Sequence, residues 1–175
     1  ARSPVFAYLP PEDRYLFAPG AERYRFNVIG TGVNGQEHIR VTGMEGRAVI
    51  HGVYDPNPLS VAGAQGMHAQ FRPGGNKLVV YDSLEAACND PAADGLIIAT
   101  PNFSHLDVVR VAAASGKHIL LEKPMATTIC DAHAIMELAQ RHSAVFQIGL
   151  QYRFKPIYVE AIHEALERKT IGDIK

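Results

Sequence analysis

The sequence predicts a doubly wound α/β domain, a mainly parallel sheet with helices on both faces. Three observations lead there. Short apolar runs alternate with helical patterns from Tyr24 onward. The first run ends in the glycine-rich turn Gly30-Thr31-Gly32-Val33-Asn34-Gly35, and Asp55 closes the second run, 20 residues beyond Gly35. Parallel strands need a long crossover between them, and a helix is its usual form.

The elements follow in order. Arg25-Phe26-Asn27-Val28-Ile29 is a short apolar run ending at glycine and reads as a buried strand. Residues 33–44 suit a helix, and Ala48–Asp55 a second strand. Pro56 and Pro58 break that strand and open a helix running to about Phe71. Arg72-Pro73-Gly74-Gly75-Asn76 is a turn, and Lys77–Tyr81 a third strand. Ser83 can cap a short helix that has Glu85 and Ala86 in its first turn. Gly95–Thr100 is the clearest strand, and the helix Ser104–Ser115 stops at Gly116. His118–Leu121 is the next strand, ending in Glu122-Lys123-Pro124. A helix from about Thr128 presents Ile129, Ala132, Ile135, Met136 and Ala139 on one face. Val145–Leu150 is a further strand, and a last helix carries Tyr158, Ala161, Ile162, Ala165 and Leu166 at i, i+3, i+4, i+7, i+8 spacing. Ahead of all this, residues 1–23 read as an arm rather than a signal peptide. Pro4, Pro10, Pro11 and Pro19 break regular structure there, while Phe6, Tyr8, Tyr15 and Phe17 need a surface to lie on.

Composition narrows the function. With 17 Lys+Arg against 18 Asp+Glu, the chain lacks the basic excess that nucleic acid or an anionic membrane requires. No apolar run approaches the ~18 residues of a membrane span. Cys88 and Cys130 form neither a disulfide framework nor a zinc pattern, which fits two reduced thiols and a cytoplasmic setting. The eight histidines are scattered, with no H-E-x-x-H, so no metal site is expected. A serine nucleophile is not expected either, since no G-x-S-x-G elbow occurs.

The chemistry gathers at strand ends. A G-x-G-x-x-G between a strand and a helix suits a dinucleotide. Gly30 allows the tight turn, Gly32 lets a pyrophosphate approach the backbone, and Gly35 lets the helix pack close. The amides of Val33 and Asn34 then sit at a helix N-terminus, where anions are favoured. A plain glycine-rich turn is the other reading. Asp55 stands where a carboxylate accepts the adenosine ribose hydroxyls and repels a 2′-phosphate, which favours NAD over NADP; it also suits a turn residue before Pro56. Thr100, Pro101 and Asn102 end the fourth strand with two hydrogen-bonding groups and a rigid apolar surface. Lys123 follows the fifth strand and points into the same crevice.

Taken together, G-T-G-V-N-G, Asp55, T-P-N-x-x-H at 100–105 and G-K-H-I-L-L-E-K-P at 116–124 resemble the Gfo/Idh/MocA oxidoreductases, which include glucose–fructose oxidoreductase and inositol dehydrogenase. The likeness runs from about Phe26 to the end of the chain. Gly149-Leu150-Gln151-Tyr152-Arg153-Phe154 and Ile171-Gly172-Asp173-Ile174 resemble the family's crossover into its second domain. The resemblance implies a Rossmann-type NAD-binding domain over residues 24–150, with Gly30, Thr31, Gly32, Val33, Asn34, Gly35, Asp55, Thr100 and Pro101 at the cofactor. It implies hydride transfer between a nicotinamide and a secondary alcohol of a sugar, inositol or related polyol. Lys123 would contact the reacting hydroxyl and help move its proton, with a cis bond before Pro124. Asn102, Glu122 and Gln151 would face the nicotinamide and its ribose; His105 would join them or serve only as a packing or capping residue. Family members are about twice this long. Residues 151–175 would then be a crossover helix and the start of a C-terminal α/β domain, absent here, that supplies the substrate pocket and the interface of a homo-oligomer. By itself this chain would bind cofactor and turn over little. Two other readings stay open: an NAD-sensing module without catalysis, and a relative that uses NAD transiently in glycoside cleavage.

Overall fold

The structure, a computed structural model, describes residues 24–72 and 74–173; the arm of residues 1–23 lies outside the described residues. Strands β1 (Tyr24–Ile29), β2 (Ala48–Tyr54), β3 (Val79–Val80), β4 (Gly95–Ile98), β5 (His118–Leu121) and β6 (Phe146–Ile148) form one sheet in the order β3-β2-β1-β4-β5-β6. Every pairing is parallel. Between them run α1 (Val33–Glu45), α2 (Pro58–Phe71), α3 (Leu84–Asn89), α4 (His105–Ala114) and α5 (Ile129–Arg141), with α6 (Pro156–Ile162) after the last strand. The order reverses between β1 and β4, and in open α/β sheets that switch point opens a crevice at the strands' carboxyl ends.

Strand alternation explains the two layers. Successive side chains of a strand point to opposite faces. Val28 and Ile97 therefore join Ile39 of α1 and Ala64 of α2 on one face. Ile29, Leu96 and Ile98 join Ala87, Cys88, Val109 and Ile135 of α3, α4 and α5 on the other. Each such Val, Leu or Ile side chain, fully withdrawn from water, contributes about 1.5–3 kcal/mol. Cys88 is part of this core, and burial pushes its thiol up to about 11, so it is inert as a nucleophile.

Strand and helix ends depart from the sequence expectation. The third strand pairs over Val79–Val80 rather than 77–81, because it is an edge with a neighbour on one side only. The fourth and sixth strands are likewise shorter than 95–100 and 145–150. In α5 only Ile135 of the expected face is buried; Ile129 is 81% and Met136 42% exposed. That helix packs mainly on α4, so side chains pointing past α4 find no neighbour. Ser83 and Thr128 cap α3 and α5 as expected, and Gly116 takes the left-handed conformation that ends α4, at φ 70°.

Asn27, inside a run that reads as apolar, is fully buried in β1. Its amide donates to the Ala87 carbonyl at 2.8 Å and to the Tyr81 hydroxyl at 3.1 Å. Tyr81 in turn donates to Asp90, whose carboxyl is held below the usual carboxylate range mainly by that bond. This chain of bonds satisfies the Asn27 amide nitrogen and the Tyr81 hydroxyl, while the Asn27 Oδ1 is buried without a partner.

The chain divides into two units, one covering residues 20–149 and the other taking in Leu150 onward. In the second, a 3-10 turn (Gln151–Phe154) precedes α6, and a π-helical turn (His163–Glu167) follows it. The π turn replaces the i→i+4 hydrogen bond with an i→i+5 one, from the Arg168 amide to the His163 carbonyl, and so shifts the helical phase. Ala165 and Leu166 therefore leave the stripe begun by Tyr158, Ala161 and Ile162, and none of these five is buried. Tyr158 stacks on Tyr152 with ring centroids 5.5 Å apart.

Candidate functional site

The glycine loop links β1 to α1 at the switch point. Gly30 has φ 86°, and a Cβ on it would lie 2.7 Å from the Thr100 amide nitrogen. On Gly35 a Cβ would come 2.0 Å from the Gly30 carbonyl oxygen. Both positions demand glycine, one for its backbone conformation and one for close packing. Gly32 is the opposite case: nothing stands within 4 Å of its would-be Cβ. No side chain caps α1, so its first amides face open space, with Val33 and Asn34 exposed beside them.

Asp55 is tied to that loop. Its Oδ2 accepts the Thr31 amide at 2.7 Å and the Thr31 hydroxyl at 3.2 Å, and its Oδ1 accepts the Asn57 amide at 2.8 Å. A carboxylate offers about four acceptor sites, so one on Oδ1 remains. Asp55 thus closes a turn before α2 and also has room for one further donor. Thr31 is fully buried, so it braces the loop from within rather than facing the crevice. Beside Asp55 runs a groove of about 400 Å³, walled by Pro56, Pro58, Val61 and Val80, with Asp82 at its border.

On the other side of the switch point, Asn102 opens a 3-10 turn and is exposed with Pro101. The Thr100 hydroxyl is buried without a hydrogen-bond partner, a group for which a ligand atom would be a natural partner. Lys123 is exposed after β5, and the Lys123–Pro124 bond is cis. Gln151 is exposed and belongs to the second unit.

Like Thr31, His105 and Glu122 are engaged within the protein. His105 is fully buried, with Nε2 3.0 Å from the Thr100 carbonyl oxygen and Nδ1 3.2 Å from that of Met125. Both ring nitrogens face backbone carbonyls, and whichever carries the proton donates, so His105 is a clamp between the loops after β4 and β5. Glu122 turns toward α1: its Oε1 is 2.8 Å from His38 Nε2, and its Oε2 accepts the Lys123 amide at 3.0 Å. His38 went unnoticed in the sequence, because nothing local marks a contact across 84 residues. Its place on α1 three residues after Gly35 is the signal that could have marked it.

His105→Ala should therefore cost about 2–4 kcal/mol, from a cavity in the core and a buried carbonyl left unpaired. Urea unfolding measures it, and a loss under about 1 kcal/mol would show the clamp to be unimportant.

A parallel sheet in this strand order, with a glycine loop opening a helix at the switch point, defines a Rossmann-type dinucleotide-binding domain. The family model described as an oxidoreductase family with NAD-binding Rossmann fold matches residues 24–150. The chain belongs to that family, the Gfo/Idh/MocA oxidoreductases. Among its relatives, the rhizopine catabolism protein MocA of Rhizobium meliloti is 32% identical over 134 residues, covering 77% of this chain and 39% of that protein. Inositol 2-dehydrogenase 1 of Saccharopolyspora erythraea is 32% identical over 153 residues, covering 85% and 43%. The crystal structure of an NAD-binding protein from Listeria innocua superposes with a TM-score of 0.68 at 32% identity, covering 86% of this chain and 42% of that one. Apo scyllo-inositol dehydrogenase from Lactobacillus casei shares the fold, with a TM-score of 0.75 at 21% identity, covering 88% and 44%. The chain spans about two-fifths of the length of the curated relatives it matches. Among the described residues no helix is long and apolar enough to cross a membrane.

Proposed function

We propose that this chain is the cofactor-binding part of an NAD-dependent dehydrogenase acting on a secondary alcohol of an inositol, sugar or related polyol. The observation that carries the reading is the glycine loop. Two of its glycines are pressed against backbone, the third opens onto free space, and an acid at the end of β2 is bonded to the loop itself. The relatives support the substrate class, since they include an inositol 2-dehydrogenase and a glucose-6-phosphate 3-dehydrogenase.

On this reading the adenosine lies in the groove beside Asp55, whose remaining Oδ1 site accepts one ribose hydroxyl. The amides of Gly32, Val33 and Asn34 receive the pyrophosphate, and the Thr100 hydroxyl and Asn102 serve the nicotinamide half. Asp55 and Asp82, both on the groove, repel a 2′-phosphate, which favours NAD. When bound, the nicotinamide supplies the hydride acceptor. Lys123 takes the hydroxyl proton as the carbinol carbon gives up its hydride, and returns it in the reverse direction. A lysine in that role works best with its pKa lowered toward ~7–8. Lys123 is exposed in this chain, and bound nicotinamide and substrate would cover it. Residues from Leu150 onward lead into a substrate domain, which also joins subunits of a homo-oligomer.

The test is calorimetric titration of the chain with NADH and, separately, NADPH. NADH should bind saturably and at least ~10-fold more tightly, the discrimination that ~1.4 kcal/mol of charge repulsion gives. Saturable binding of neither, or a preference for NADPH, would overturn the reading.

A further inference from the structure

The contact between His38 and Glu122 joins two parts of the site that the strand order keeps apart. His38 rides on α1, the helix the glycine loop opens; Glu122 immediately precedes Lys123 after β5. Their Nε2 and Oε1 atoms are 2.8 Å apart, and the side chains are only 24% and 15% exposed. Glu122 has little freedom. Its backbone amide donates to the Ile98 carbonyl at 2.9 Å, and Gly149 lies so close that a Cβ there would be 3.3 Å from Oε1. The second carboxylate oxygen holds the Lys123 amide. One carboxylate thus takes a bond from the cofactor-loop helix on one oxygen and from the Lys123 turn on the other. Bonds to a carboxylate are short and directional, so the two partners are held in one arrangement.

We infer that His38 and Glu122 form a positioning pair, which sets the Lys123 turn relative to the glycine loop and so couples the pyrophosphate seat to the nicotinamide seat. This rests on the dinucleotide reading above. Glu122 acts through the Lys123 amide, and His38 acts through Glu122. Without His38, the carboxylate is free to turn toward water and the Lys123 turn loses its brace, while the glycine loop and the Asp55 groove are untouched. The loss falls on the nicotinamide end alone.

The experiment compares NADH with ADP-ribose, which carries the adenosine, the pyrophosphate and the second ribose but no nicotinamide. Calorimetric titration of the wild-type chain, His38→Ala and His38→Gln gives both affinities for each. His38→Ala should weaken NADH about tenfold, the scale of one hydrogen bond to a charged group, and leave ADP-ribose within about twofold. His38→Gln, whose amide can donate to the same carboxylate, should restore NADH binding. In a Glu122→Gln background, His38→Ala should add little, the mark of a coupled pair. Equal weakening of both ligands would make His38 a general support of α1 and overturn the inference. So would unchanged NADH affinity in His38→Ala, or no rescue by His38→Gln. A wild-type chain that binds neither ligand overturns the dinucleotide reading itself, and this inference with it. A wild-type chain that binds both, beside an unaffected His38→Ala, overturns the inference alone.

Discussion

Gly35→Ala should destabilise the domain by about 3 kcal/mol or more, the upper end of what overpacking costs. The added methyl would lie 2.0 Å from the Gly30 carbonyl oxygen and 3.0 Å from the carbonyl carbon. A flexible side chain in that place could rotate away, but Gly30 cannot. Its amide is bonded to the Tyr54 carbonyl at 2.8 Å, its φ is 86°, and its own Cα faces the Ala99–Thr100 backbone without room for a Cβ. Relief would require α1 to lift from the sheet, which would expose Ile39, now 1% accessible. Gly66 is the internal comparison. It lies within α2 with nothing inside 4 Å of its would-be Cβ, so Gly66→Ala should be neutral or stabilising by about 0.5–1 kcal/mol. Urea unfolding of the two variants separates packing from propensity. A Gly35→Ala chain within about 1 kcal/mol of wild type would contradict the packing account.

Lys123→Ala should lower kcat of the active enzyme by about 10²–10⁴, the usual contribution of a positioned acid–base group. NADH affinity should change by no more than about threefold, because the substitution keeps the Lys123 backbone turn and its bond to Glu122, and the side-chain bonds assigned to the cofactor come from other residues. Lys123→Arg should not rescue, since a guanidinium keeps its proton at any working pH. Steady-state kinetics of polyol oxidation, followed by nicotinamide absorbance, reads the first effect, and calorimetry the second. An unchanged kcat would remove Lys123 from the chemistry. A loss confined to NADH affinity would make it a binding residue.

Most of the sheet was legible because its signals are local. Runs such as Gly95-Leu96-Ile97-Ile98 are buried on both faces and so read as continuous apolar strands. The glycine loop was legible because Gly30 and Gly35 each answer to a steric demand of the neighbouring backbone. The edges were harder: strand length there depends on how many neighbours remain, which is why β3 shrinks to Val79–Val80. The least legible features are polar contacts made across the fold. Asn27 looks like an interruption in an apolar run until Ala87 and Tyr81 arrive 60 and 54 residues later to take its amide. His105 sits in a motif that resembles a cofactor contact, yet its ring is spent on Thr100 and Met125. Glu122 is drawn off by His38 in the same way. Each strand end offers polar groups to the crevice and to its neighbours alike, and only the packed structure decides between them.

Gly32 offers the most direct measurement of the central claim, that the glycine loop is a dinucleotide seat. Its φ of −64° suits any residue, and its would-be Cβ meets nothing. A side chain there should leave folding intact while filling the space assigned to the pyrophosphate. Gly32→Val is expected to unfold within about 0.5 kcal/mol of wild type in urea, the range of an unconstrained surface change. Calorimetry on the same sample should show NADH affinity reduced by about a hundredfold, since ~2.7 kcal/mol lies within the ~1.5–3 kcal/mol of one lost bond to a charged group. A Gly32→Val chain that folds normally and binds NADH as wild type does would contradict the account.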